Sequence, residues 1–176
     1  MDYTRFYESP LGRMVLAGDG KSLTGLRFAG QKYFPEGMDS EGGKDIPEVF
    51  RRTEKWLDIY FRGEEPDFMP EICLHGTAFQ REIWDILRTI PYGKTTTYGE
   101  IGRLYAKRHG MPRMSAQAVG QAVGHNPVAI LIPCHRVLGS KGKLTGYAGG
   151  IDKKTALLRL ERVTGYEASE CGSAER

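Results

Sequence analysis

The sequence predicts an α/β protein in two parts: an N-terminal α/β domain of antiparallel strands with a covering helix over residues 1–75, and a mainly helical region over residues 76–165 that contains a helix-turn-helix. Three observations predict it. The opening TRFYESPLGRMVLAGDGKSLTGLRF alternates short apolar stretches with Gly, Asp and Ser punctuation. Beyond Gly76, apolar residues recur at steps of three and four. The charge also inverts at that point: residues 1–75 carry 10 Lys/Arg against 14 Asp/Glu, net −4, and residues 76–176 carry 15 against 8, net +7.

The elements follow in order. The opening reads as two or three strands joined by tight turns, with GDGK as the clearest hairpin. GMDSEGGKD is a polar loop, and Pro47 sits where a first helical turn tolerates it. In EVFRRTEKWLDIYF, Val49, Phe50, Trp56, Leu57, Tyr60 and Phe61 fall near one helical face that should cover the sheet. A helix over GTAFQREIWDILRTI is stopped by Pro91. TTTYGEIGRLYAKRHG has a Thr cap, Glu100 in its first turn, basic residues near its end and Gly110 to close it. SAQAVGQAV, starting at Ser115, is a short helix of small residues that permit close backbone approach. The apolar AILIP reads as a buried strand or extended segment leading into CHRV, followed by the glycine-rich loop SKGKLTGYAGG and the closing helix KKTALLRLERV. Residues 166–176 read as a polar, flexible tail.

Composition narrows the class. With 176 residues, 40% of them apolar, the chain can bury one ordinary core or two small packed ones. No apolar run is long enough to span a membrane, and MDYTRFYESPLGRM lacks a signal-peptide layout, so a cytoplasmic protein without membrane contact is expected, monomeric by default. Cys73, Cys134 and Cys171 have no CxxC spacing and are odd in number, which argues against a disulfide framework. The basic second half suits a polyanion, although an ordinary solvated basic face fits charge alone as well.

Cys134 stands in IPCHRV, behind a proline and an apolar run. A cysteine in such a setting is more often a small core residue than a nucleophile. Here His135 and Arg136 follow directly, and a neighbouring base or cation is what a thiolate needs. Adjacent residues of an extended segment point apart, so a local turn or a bridging water is required to bring His135 to Cys134. Glu161, three and four residues past Leu158 and Leu157, shares their helix face and could orient the imidazole from within, or could be a surface partner of Arg159 or Arg162.

Four ordered segments, GTAFQREIWDILRTIPYGKTTTYGEIG, AVGQAVGHNPVAILIPCHRV, GYAGG and the opening YESPLGRMVLAGDGKSLTGLRF, resemble the methylated-DNA–protein-cysteine methyltransferase family, with PCHRV its active-site signature. The resemblance implies a ribonuclease H-like N-terminal domain, a winged-helix-like C-terminal one, and a single-turnover transfer of the alkyl group of O6-alkylguanine in double-stranded DNA to Cys134. It implies no cofactor. His135 would act as a base through water, Glu161 would orient it, Tyr98 would assist departure of the guanine by donating to its ring edge, and Asn126 would hold the turn before the active-site segment. Val123, Tyr147, Ala148, Gly149 and Gly150 match the pocket, where backbone N–H groups could receive charge on O6. Ala116, Ala118 and Gly120 would face the minor groove after the base is rotated out, with Arg113, Ser115 and Arg136 among the DNA contacts. Gln117 departs from the arginine that inserts into the stack in familiar members, so weaker salt-dependent binding is expected. AKRHGMPRM lengthens the turn of the helix-turn-helix. The zinc of some members is not expected, because Cys73 and His75 supply only two candidate ligands. Two rivals stand beside this reading. A DNA-binding damage sensor that transfers nothing is disfavoured by the retained Cys134. A Cys/His hydrolase has no support outside PCHR.

Overall fold

The computed structural model describes residues 3–38, 41–42 and 45–167. Strands β1 (Tyr3–Ser9), β2 (Gly12–Gly18) and β3 (Leu23–Phe28) form an antiparallel sheet in that order, with Phe6 opposite Val15 and Leu16 opposite Leu26. GDGK closes the β2–β3 hairpin, where the Asp19 carboxylate accepts from Lys21 N at 2.9 Å and Ser22 N at 2.7 Å. Helix α1 (Glu48–Phe61) lays Val49, Phe50, Trp56, Leu57 and Tyr60 against the sheet. Arg5 pairs with Glu54 and the Tyr7 hydroxyl donates to Asp58 at 2.6 Å, which fixes the helix along β1.

The second half supplies α2 (Ala78–Leu87), β4 (Thr96–Thr97), α3 (Tyr98–Arg108), α4 (Ala116–Gly124), β5 (Val137–Leu138) and α5 (Ile151–Leu160). Thr77 and Gln80 make a reciprocal capping box on α2, and Thr97 and Ser115 cap α3 and α4 through their hydroxyls. α3 and α4 form the expected helix-turn-helix around a long turn, His109–Ser115, which is tethered to α2 where His109 Nε2 meets Glu82 at 2.7 Å. They approach closely at Gly102, where a Cβ would stand 3.6 Å from Val119 Cγ2 on α4 and 3.2 Å from Met114 O in the turn. Trp84 Nε1 donates to Ala122 O at 2.8 Å and locks α4 onto α2.

Between α4 and Cys134 the structure departs from the strand or extended segment expected of AILIP. Residues 129–131 turn, with Leu131 N donating to Ala129 O at 2.8 Å and Ile132 N to Val128 O at 3.1 Å. Ile130 takes a φ of 70°, a left-handed conformation costly for a β-branched residue. The cause lies in the N-terminal sheet: Leu26 N donates to Pro127 O at 2.8 Å and Ala129 N to Leu26 O at 2.8 Å, so β3 seizes the backbone at Val128 and the chain must turn to leave. One hydrophobic cluster therefore runs through both halves, from Leu16, Leu26 and Phe50 to Trp84, Val119, Ile132 and Leu157. After α5, Glu167 N donates to Gly142 O at 2.8 Å, and the tail expected over 166–176 otherwise lies outside the described residues from 168 on. Among the described residues no helix is long and apolar enough to cross a membrane.

Candidate active site

Cys134 opens a short 3-10 turn, Cys134–Arg136, rather than continuing an extended segment. That turn is the local device required to keep residues i and i+1 in one neighbourhood, and both Cys134 and His135 are buried, the latter fully. His135 Nε2 meets Oε2 of Glu161 in a short contact. Glu161 C-caps α5 and is 3% exposed, so the reading as a surface partner of Arg159 or Arg162 is replaced by a buried one. Its Oε1 accepts from Arg136 Nε at 2.8 Å and Gly93 N at 3.0 Å, and its Oε2 also accepts from the Tyr60 hydroxyl at 2.6 Å.

The charge states follow. Burial alone would raise the Glu161 pKa, but the hydrogen bond from His135 and the charge and hydrogen bond of Arg136 outweigh it and lower the carboxyl to about 2. An ionised carboxylate only accepts, so Nε2 of His135 carries the proton. Burial lowers the His135 pKa against the pull of Glu161, which leaves the ring neutral with Nδ1 as its lone-pair side. Nδ1 is buried and has no hydrogen-bond partner among the described residues. Burial raises the Cys134 thiol pKa, opposed by an Asn126 hydrogen bond and the positive charge of Lys154.

Asn126 holds the turn as expected of it: Nδ2 donates to Ile132 O at 2.8 Å and Oδ1 accepts from Val128 N at 3.0 Å. Cys134 lies at a cavity of about 530 Å³ that is also lined by Tyr98, Gln117, Gly120, Val123, Asn126, Tyr147, Ala148 and Gly149. Tyr98 begins α3, and its hydroxyl donates to Thr145 O at 3.2 Å. Gly149 lets the chain pass close to both rings, since a Cβ there would stand 3.0 Å from Phe28 and 3.1 Å from the Tyr147 ring and would press on each. Gly150 does not line the cavity: it precedes α5 at φ 100°, and its N–H is spent on Tyr147 O at 2.9 Å.

On the outer side of α4, Arg113, Ser115, Ala116 and Gln117 are exposed and Ala118 and Gly120 partly so. Gln117 faces both the cavity and a neighbouring groove formed with Thr97, Arg103 and Ala116. Arg136 requires a correction. Expected among the DNA contacts, it is 8% exposed, with Nε on Glu161 and Nη1 on Ile90 O at 2.8 Å, because the buried carboxylate needs its charge.

Lys154 and Gly93 had no expected role, and Tyr60 was read only as part of the sheet-covering face of α1. Lys154 is fully buried and donates to Val137 O at 2.6 Å, Thr145 O at 2.8 Å and Gly146 O at 3.1 Å. Its signal was present: Lys154, Leu157, Leu158 and Glu161 follow i, i+3, i+4, i+7, the buried stripe of α5. Cys73 Sγ and His75 Nε2 are 3.9 Å apart, and among the described residues no three potential metal ligands cluster.

This combination, a recessed cysteine backed by a His–Glu pair beside a helix-turn-helix, is that of a protein acting on DNA through a sulfur nucleophile, and the chain belongs to the 6-O-methylguanine DNA methyltransferase family. The family's DNA-binding domain model matches residues 78–163 and its ribonuclease-like domain model residues 3–72. A methylated-DNA–protein-cysteine methyltransferase of Mycolicibacterium paratuberculosis is 48% identical over 158 residues, covering 90% of this chain and 91% of that one. The crystal structure of Mycobacterium tuberculosis O6-methylguanine methyltransferase superposes with a TM-score of 0.77 at 44% identity, covering 99% of this chain and 100% of that one. The same bacterium's protein in complex with DNA superposes with a TM-score of 0.75 at 47% identity over 90% of this chain and 92% of that one.

Proposed function

We propose that Cys134 is the acceptor through which the protein carries out its family's activity, direct transfer of an alkyl group from O6-alkylguanine in double-stranded DNA. The observation that carries this is the Cys134 sulfur at a cavity with room for a nucleobase, with the neutral His135 imidazole behind it, held by ionised Glu161. Nδ1 of His135 takes the thiol proton through a bridging water, and Glu161 stabilises the imidazolium that results. The sulfur lone pair then attacks the alkyl carbon as the carbon–O6 bond breaks. Its electron pair passes into the guanine, which gains a proton at a ring nitrogen from Tyr98, and the N–H groups of the Tyr147–Gly149 segment face O6. The imidazolium proton then returns through water to the Tyr98 oxygen, so that, net, the guanine holds the proton the thiol lost and Cys134 holds the alkyl group. The thioether has no group that can leave, so each molecule reacts once.

The helix-turn-helix with Arg113, Ser115, Ala116, Gln117, Ala118 and Gly120 forms the DNA-facing surface, and the protein works as a cytoplasmic monomer with a boundary between its two domains near Gly76. A hydrolase is disfavoured because the Cys134 N–H, an oxyanion donor in that chemistry, is spent on Ile132 O at 2.8 Å. The test is intact-protein mass after mixing with excess duplex containing O6-methylguanine. A gain of one methyl that disappears in Cys134→Ala is expected; binding without labelling would replace this reading with damage sensing.

A further inference from the structure

The cavity is not walled by the second half of the chain alone. Gln31, Lys32 and Tyr33, from the loop after β3, also line it. Two contacts seat this loop. Lys32 N–H donates to Ala148 O at 3.0 Å, and the Tyr33 ring stacks on His125 with centroids 4.1 Å apart. His125 is itself fixed at the end of α4, its Nδ1 2.7 Å from Gln121 O. Tyr33 holds a left-handed φ of 61°, uncommon for an aromatic residue, and is 52% exposed. The Lys32 ammonium lies 5.1 Å from the centre of that ring, exposed, and takes part in none of the ion pairs among the described residues.

The reaction dictates how a nucleotide lies here. The alkyl carbon has to meet Sγ of Cys134, so the O6 edge of the base points inward. The sugar and the phosphates on either side of it then stay at the mouth, where Lys32 and Tyr33 stand. Resting on the alkyl-transfer reading above, we propose that Lys32 binds a phosphate of the extruded nucleotide and that Tyr33, clamped on His125, positions it. The N-terminal half thereby takes part in substrate recognition, and it supplies at the mouth a cation that Gln117 does not.

Duplexes carrying O6-methylguanine with one neighbouring phosphate replaced by a neutral methylphosphonate, on the 5′ or the 3′ side in turn, test this through single-turnover rates. One of the two replacements should slow the wild type by about tenfold, and Lys32→Ala should slow repair of the ordinary duplex by a similar factor. The two losses should not multiply when combined, because the same contact is removed twice. Tyr33→Gly, which suits the left-handed backbone and removes only the ring, should give a smaller loss of the same non-multiplying kind. Lys32 is exposed, so an unchanged melting temperature in Lys32→Ala separates this from misfolding. A wild-type rate in Lys32→Ala, or losses that multiply for both phosphates, would overturn the proposal while leaving alkyl transfer intact. Absence of labelling in the wild type would overturn both.

Discussion

The Tyr60 hydroxyl donates to Oε2 of Glu161 at 2.6 Å, a bond between residues 101 positions apart in the chain. It places a residue of the sheet-covering helix α1 in contact with the carboxylate that holds His135. Glu161 is therefore set from three sides: α1 through Tyr60, the chain after α2 through Gly93, and the active-site turn through His135 and Arg136.

Tyr60→Phe removes one of four donors from a buried carboxylate and leaves packing nearly unchanged. The expected cost is about 1.5–3 kcal/mol of stability, read as a lowered urea midpoint at constant slope. The transfer rate should fall less than in any substitution of Glu161 itself, since His135 and Arg136 still fix the carboxylate. A midpoint equal to that of the wild type would show that the bond contributes nothing.

Glu161→Gln leaves the Arg136 guanidinium buried without its counter-charge, at an expected cost of about 3–5 kcal/mol. With the imidazolium no longer stabilised, the transfer rate at neutral pH should drop roughly a hundredfold or more. The wild-type protein should also show acid sensitivity that the variant lacks. The folded pKa of Glu161 is depressed from 4.5 to about 2, so its stabilising contribution is complete above the unfolded value and is lost as pH falls from 4.5 towards 2. Parallel stability curves for the two proteins across that window would contradict the assignment.

Lys154→Met keeps the volume and removes the cation. Burial lowers the Lys154 pKa from 10.5 to about 8. In the window between those values the unfolded chain binds more protons, so this group makes stability rise with pH in the wild type and not in the variant. The variant should also transfer roughly tenfold more slowly at pH 7, because the positive charge that favours the Cys134 thiolate is gone. Rescue of that rate at higher pH, where thiolate forms without help, distinguishes the charge effect from a disturbed pocket loop.

Gln117→Arg adds a cation at an exposed position between the cavity and the adjoining groove. Affinity for duplex DNA should rise, and the slope of log K against log salt should steepen by about one. An unchanged slope would mean that residue 117 stands clear of the phosphates.

Much of this was legible in the sequence, and the failures share a physical cause. The presence and order of the helices, the Thr cap of α3 and the GDGK hairpin are local matters of periodicity and turn chemistry, and they read correctly, whereas α2 and α5 end earlier than expected, at Leu87 and Leu160. The spacing of Glu161 to Leu157 and Leu158 allowed its buried place beside a surface pairing with Arg159 or Arg162, and only the structure decides between them. The turn at Ala129–Leu131 did not follow, because β3, a hundred residues upstream, imposes it through backbone groups common to every residue type. Arg136 and Lys154 were misjudged or passed over for a related reason. A cation is assigned to the surface unless its acceptors are known, and theirs are the Glu161 carboxylate and carbonyls of Ile90, Val137, Thr145 and Gly146.

The pair of backbone bonds joining Leu26 to Pro127 and Ala129 bears on how this molecule could be taken apart or recombined. Charge and composition suggest a seam at Gly76, yet the stitching that shapes the approach to Cys134 crosses it. A fragment starting there would carry the nucleophile and its helices but lose the template against which residues 127–129 are folded, and would leave Pro127 O and Ala129 N without their partners on Leu26. The same holds for chimaeras: halves exchanged between relatives must match along β3, whatever their ends look like, for the transplanted cysteine to meet its histidine.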